Sequence, residues 1–161
     1  MSMGERRIAT VSWLAVFLWM GLIFYLSHQP GEASAALSSG VTDVIFRTVV
    51  AVFNIDVAPG AGDGMFHFWV RKSAHAFLYF VLAVLVIHAL GRSGVVGRKA
   101  YLIAFLFCVF YAVTDEVHQL YVPGRSGEIG DVVIDSVGAA AGLVVFSLGN
   151  NLRRYVLKAR E

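Results

Sequence analysis

Acidic, basic and amide side chains concentrate in residues 114–135, which read TDEVHQLYVPGRSGEIGDVVID. The stretch contains the carboxylates of Asp115, Glu116, Asp131 and Asp135 and the guanidinium of Arg125. Carboxylates and histidines can act as general acids and bases, and an arginine can hold a phosphate or carboxylate through two parallel hydrogen bonds. These residue types therefore predict a site that binds, or binds and transforms, a polar or anionic ligand.

The elements that must position this stretch are strongly apolar. Of the 161 residues, 58% are hydrophobic and only 15% are charged, and the mean hydropathy is +0.70. Such a composition is typical of an integral membrane protein. The net charge of +2, without a cluster of basic and aromatic residues, excludes a nucleic acid partner. Cys108 is the only cysteine, which excludes a disulfide framework and a cysteine-based zinc site.

Four apolar runs approach the ~20 residues that a helix needs to cross a bilayer. They cover about residues 8–26, 73–90, 101–120 and 132–148. We therefore predict an all-α, polytopic membrane protein in which residues 1–161 form a single domain with a bundle of four transmembrane helices. Between the first two helices, apolar residues recur at helical spacing from Leu37 to Val49. This segment predicts an amphipathic extracytoplasmic helix that lies along the membrane surface or packs against the bundle.

Basic residues near the ends of the runs indicate their orientation, because such residues favour the cytoplasmic side of a membrane. In a four-span arrangement three basic clusters fall on the same side: Arg6 and Arg7; Arg92, Arg98 and Lys99; and Arg153, Arg154, Lys158 and Arg160. Both termini are therefore expected to be cytoplasmic, and residues 121–130 are expected to face the outside of the cell.

Polar residues of separate spans converge at their outer ends. On the fourth span two aspartates share a stripe with Gly138 and Gly142, and this small-xxx-small pattern predicts that the stripe faces the bundle interior. A tight turn predicted at residues 123–124 brings Arg125 back over the helix ends. We predict an extracytoplasmic polar chamber with these ligand-binding residues: Lys72, His75, Asp115, Glu116, Gln119, Arg125, Asp131 and Asp135.

The run TDEVHQLYVPGRSGEIGDVVIDSVGAAAG resembles the VanZ-like family of bacterial membrane proteins, named for a member associated with resistance to the glycopeptide antibiotic teicoplanin. The family signature is an acidic pair followed by Gln, then Pro-Gly-Arg, then two aspartates and two glycines in a last helix, and residues 115–142 are similar to it. Residues 27–30 and 72–75 resemble two earlier marks of the family, although His28 stands where a serine is expected. The resemblance covers about residues 13–148 and implies the cytoplasmic membrane of a bacterium.

Three functional interpretations remain open. The resemblance favours a binding module for a membrane lipid, a lipid-linked cell-wall precursor or a glycopeptide antibiotic. In it, Lys72 and Arg125 hold the anionic group, and the acids of the fourth span orient Arg125 or accept sugar hydroxyls. The second interpretation is a hydrolase or transferase acting on a lipid headgroup, with these catalytic candidates: Asp115, His118, Asp131 and Asp135. The third is an ion network that only fixes the helices. No cofactor is predicted, and a metal site is disfavoured because two nearby cations would repel a metal ion.

Overall fold

The computed structural model describes residues 2–32, 34, 36, 39–40, 44, 48 and 65–158, except for the side chains of residues 65–67, 154 and 156. Four helices have bounds within these residues: α1 (Met3–Ser27), α2 (Met65–Arg92), α3 (Gly97–Gln119) and α4 (Ile129–Lys158). Each contains a segment long and apolar enough to cross a membrane, namely Met3–Ser27, Phe68–Arg92, Gly97–Gln119 and Ile129–Arg153. The predicted all-α class and the four spans are confirmed. The predicted amphipathic helix falls on residues 37–49, most of which lie outside the described ranges.

The helices extend beyond the apolar runs at the end where the charges lie. α2 begins at Met65, before the apolar run that starts near residue 73, and α4 begins at Ile129, before the run that starts near residue 132. Hydropathy falls at Lys72 and Asp131, but the helical hydrogen bonding continues through both residues, and their side chains form an ion pair. The charged side chains therefore project from regular helices, which fixes their spacing along each helix.

The closest approach between helices lies between α2 and α4. A Cβ atom added at Gly138 would overlap the carbonyl oxygen of Ala76, and one added at Gly142 would overlap that of Phe80. Only glycine lets two helix backbones come so near, as in other small-xxx-small contacts of membrane helices. The prediction that this glycine stripe faces the bundle interior is confirmed.

Side-chain hydrogen bonds in the middle of α1 hold it to the bundle. The Trp19 indole N–H donates to the carbonyl oxygen of Leu78 on α2 at 2.9 Å, and the Tyr111 hydroxyl on α3 donates to that of Met20 at 2.7 Å. Much of the rest of α1 presents exposed apolar side chains such as Phe17. These side chains suit contact with acyl chains, because lipid is as apolar as the side chains themselves.

Polar groups in the core occur at one end of the bundle. We call this end, made of the last turns of α1 and α3, the first turns of α2 and α4, and residues 120–128, the polar end. Within the described part of the chain, the buried polar and charged side chains all lie there or one turn below it: Ser27, Lys72, Asp115, Glu116, Gln119, Asp131 and Asp135. The predicted convergence of polar residues from separate spans is therefore present in the fold.

Candidate functional site

The segment after α3 folds back over the polar end through a tight turn. Gly124 has a φ of +73°, a left-handed conformation that favours glycine. The amide N–H of Gly31 donates to the carbonyl oxygen of Pro123 at 3.1 Å, and a Cβ atom at Gly31 would overlap the carbonyl oxygen of Gly124. The turn predicted at residues 123–124 therefore exists, and it rests on the chain that follows α1.

Arg125, which follows this turn, closes the end of α1. Its Nε and Nη2 atoms donate to the carbonyl oxygens of Gln29 and Leu26 at 2.9 and 3.0 Å, and Nη1 donates to Oε1 of Gln119 at 3.1 Å. Helix-terminal carbonyls lack intrahelical partners, so a guanidinium is well suited to satisfy them. Burial lowers the pKa of Arg125 from its usual value. Arginine nevertheless remains charged at neutral pH.

The expectation that the acids of α4 orient Arg125 is wrong, because the guanidinium is held by α1 and by Gln119 instead. Asp131 pairs with the ammonium of Lys72, which lies 3.2 Å from the carboxylate of Glu128 as well. These pairs join the first turn of α2 to the start of α4. Lys72 is thus neutralised by two carboxylates rather than left available for an anionic ligand.

Glu116 and Gln119 extend this network to α3. The amide N–H of Glu128 donates to Oε2 of Glu116 at 2.8 Å, and Nε2 of Gln119 donates to Oε1 of Glu116 at 3.0 Å. Asp115 accepts a hydrogen bond from the Ser27 hydroxyl at 2.7 Å. The buried carboxylates of α3 are therefore provided with donors, as buried charges must be.

Asp135 and His75 form a separate pair below the network. The Asp135 side chain has no solvent exposure, and neither carboxylate oxygen has a hydrogen-bond partner among the described residues. The Nδ1 atom of His75 lies 3.9 Å from Oδ1 of Asp135. The hydroxyl of Tyr79, one turn below His75 on α2, is likewise buried without a described partner.

A cavity of about 230 Å³ lies between α1 and α2 at the polar end. Three predicted site residues line it, namely His75, Asp115 and Arg125. The other lining residues are Ile23, Leu26, Ser27, Ser34, Val70, Arg71, Ala74, Leu78 and Tyr79. The remaining predicted residues do not line the cavity: Lys72, Glu116, Gln119 and Asp131 belong to the adjoining network, and Asp135 lies behind His75.

Arg71 is the lining residue that the sequence interpretation missed. It is partly exposed and makes no hydrogen bond or ion pair with any described residue. The adjacent basic pair Arg71-Lys72 was visible in the sequence, but neighbouring residues point ~100° apart on a helix. Without the packing of α2 the sequence could not decide which of the two cations faces a cavity.

His118, one of the catalytic candidates, lies away from the cavity. Its Nε2 atom is 3.2 Å from Nδ1 of His28, and its ring packs against Phe24 at 4.5 Å between centroids. Asp115 lines the cavity and His118 does not, because residues 115 and 118 point about 60° apart on α3. Among the described residues, no three histidine, cysteine or acidic side chains are placed to hold a metal ion.

Comparisons with known proteins agree with the motif at the polar end. Neither the curated proteins nor the solved structures contain a match to the chain. The family model described as VanZ/LLP1 matches residues 12–150, which cover most of each of the four spans, the turn at residues 123–124 and the network around it. The chain therefore belongs to the VanZ/LLP1 family.

Proposed function

We propose that this membrane protein binds the anionic headgroup of a lipid-associated ligand in the cavity between α1 and α2, on the outer side of a bacterial cytoplasmic membrane. One observation carries the proposal: two arginines, Arg71 and Arg125, line a cavity whose remaining wall is largely apolar. A phosphate attached to a prenyl or acyl chain has both properties that this lining would recognise.

The charges of the cavity favour an anion. Arg71 has no described partner, and Arg125 uses three of its five N–H groups on Leu26, Gln29 and Gln119. The one carboxylate that lines the cavity, Asp115, is already engaged by Ser27 and Gln119. An incoming phosphate would therefore meet unused donors on both arginines.

The walls and the size of the cavity restrict the ligand further. Ile23, Leu26, Val70 and Leu78 supply an apolar surface on which the first carbons of a chain can lie. A volume of about 230 Å³ is below the ~300–1,000 Å³ typical of pockets that enclose drug-sized ligands. A headgroup phosphate fits this space, whereas a glycopeptide antibiotic would be restricted to its rim.

The test compares retained lipid in protein purified into nanodiscs of phosphatidylglycerol or of phosphatidylcholine, measured by native mass spectrometry. A polyprenyl phosphate and inorganic phosphate are added as competitors, which distinguishes a lipid headgroup from free phosphate. Arg71→Gln removes a charge-assisted contact of about 1.5–3 kcal/mol, so retention should weaken roughly tenfold to hundredfold. The matched control is Arg92→Gln, which changes the other end of the same helix.

The same experiment separates the alternatives. Equal retention of both lipids by the wild type, or equal loss in both arginine variants, would contradict the binding proposal and favour a purely structural network. Release of the headgroup from a bound lipid would indicate a hydrolase or transferase. His75 is the side chain to test for that activity, because it lines the cavity and has a carboxylate behind it.

A further inference from the structure

A buried acid behind the cavity lacks the partners that its charge requires. Asp135 has no solvent exposure, and neither of its oxygens accepts a hydrogen bond from the described residues. The imidazole of His75 lies between this acid and the cavity: its Nδ1 atom is 3.9 Å from Asp135, and its ring lines the cavity. His75 is therefore in contact with both the buried carboxylate and the space for the ligand.

An ionised carboxylate in this position is strongly disfavoured without a partner, because burial removes its hydration. Two arrangements remove that cost. In one, the proton is on Asp135 and the imidazole is neutral; in the other, the proton is on His75 and the two groups form an ion pair. The two groups lie 3.9 Å apart, too far for a hydrogen bond, so the arrangements differ in which group carries the one proton.

We propose that the cavity binds its anionic ligand together with one proton of the His75–Asp135 pair, which either group can carry and which we call the shared proton. The inference rests on the proposed function, because the ligand supplies the negative charge on the cavity side of the imidazole. An anion beside His75 favours the arrangement with a protonated imidazole, in which Asp135 is the counter-ion. Asp135 is then a positioning residue that acts through His75.

Charged groups from several elements face the pair. They are Arg71 and Lys72 of α2, Asp115 and Glu116 of α3, Arg125 of the turn and Asp131 of α4, whereas α1 has no acidic or basic side chain between residues 8 and 27. The cations disfavour a positive His75, and Lys72 is already paired with two carboxylates. A bound phosphate would neutralise Arg71 and Arg125, so ligand and proton favour each other's binding reciprocally.

The expected consequence is an affinity that falls as pH rises. Loss of the shared proton leaves a net negative pair behind the cavity, which repels an anion. If one proton is bound with each ligand, the affinity falls by up to about tenfold per pH unit above the titration of the pair. Phosphatidylglycerol is the suitable probe, because a phosphodiester keeps its single charge over the range from about pH 5 to about pH 8 in which histidine titrates.

The test measures phosphatidylglycerol retention against pH for the wild type, Asp135→Asn and His75→Gln. His75→Gln should bind with the same affinity at every pH, because it removes the imidazole beside the ligand. Asp135→Asn should lose affinity at a lower pH than the wild type, because its imidazolium has no counter-ion. The control His118→Gln, which changes a histidine outside the cavity, should keep the wild-type slope. If Asp135→Asn does not fold, His75→Gln carries the test alone, because His75 is only partly buried.

The failure of this inference differs from the failure of the proposed function. Retention by the wild type that does not change with pH, or a slope that persists in His75→Gln, would overturn the shared proton and leave the lipid site intact. Absence of retention by the wild type at every pH would overturn the lipid site itself.

Discussion

Gly138→Ala tests whether the backbone contact between α2 and α4 holds the polar end together. The added Cβ atom would overlap the carbonyl oxygen of Ala76 and would lie 2.7 and 2.8 Å from its carbonyl carbon and Cα. These are backbone atoms of a helix, so they cannot rotate away as a flexible side chain could. The two helices must therefore separate locally or remain strained.

The size of the effect follows from two contributions. Overpacking of a tight core costs typically about 1–3 kcal/mol. Gly→Ala in an unobstructed helix interior instead stabilises by about 1 kcal/mol. Gly149→Ala is the matched control on α4, because nothing lies within 4 Å of a Cβ atom added there. Because the gain in helix propensity is common to both variants, the difference in their free energy of unfolding should equal the overpacking cost, about 1–3 kcal/mol.

The assay is equilibrium unfolding in detergent, followed by circular dichroism for both variants and the wild type. A gap of 2 kcal/mol corresponds to a difference in Tm of about 4–8 °C for a chain of this length. Equal stability of Gly138→Ala and Gly149→Ala would refute the claim that α4 and α2 meet at their backbones. It would also weaken the placement of Asp135 beside His75, since Asp135 lies about one turn from Gly138 and His75 is next to Ala76.

The other predictions concern the charged residues and the orientation. Lys72→Met alone leaves Asp131 buried without its cation and should destabilise the fold by about 3–5 kcal/mol. The double variant with Asp131→Asn should recover most of that loss in the same unfolding assay. Arg125→Lys cannot reach both carbonyls of α1 and should lower stability by about 1–3 kcal/mol; unchanged stability would mean that the fork of donors is unimportant. Tyr121→Cys, in the exposed turn, should react with a membrane-impermeant maleimide on intact cells, while the buried Cys108 does not. Labelling of the new cysteine only in opened cells would contradict the prediction that this turn faces the outside of the cell.

Much of the site could be predicted because membrane helices impose strong constraints. Charges in apolar spans must face the interior and must find partners, so the spacing of Asp131, Asp135, Gly138 and Gly142 was enough to orient α4. The turn before Arg125 could be predicted from Pro123 and Gly124, whose backbone preferences are local. These features depend on the chain a few residues to either side, which is the range over which a single sequence is informative.

The partners of each charge could not be predicted, because they depend on the rotation of helices against one another. Arg125 donates to the carbonyl oxygens of Leu26 and Gln29. Every residue has a backbone carbonyl, so the residue types do not indicate which carbonyls will accept these hydrogen bonds. His118 was expected to face the same ligand as Asp115, yet its ring contacts His28 instead. Side chains three or four residues apart lie on the same side of a helix, but that side is broad enough to contact two neighbouring helices. Only the packing decides which side chain contacts which neighbour.

The ion network and the proposed ligand site lie on different sides of α2. The structural interpretation and the ligand-binding interpretation therefore apply to different residues. On one side of α2, Lys72, Ala76 and Phe80 face α4. On the other side, Arg71, His75 and Leu78 face the cavity beside α1. The ion network thus lies on the side where the backbones touch. Arg71, which has no ion-pair partner among the described residues, lies on the side where there is space for a ligand. Changes on the α4 side should therefore reduce stability first, and changes on the cavity side should reduce binding in a protein that still folds.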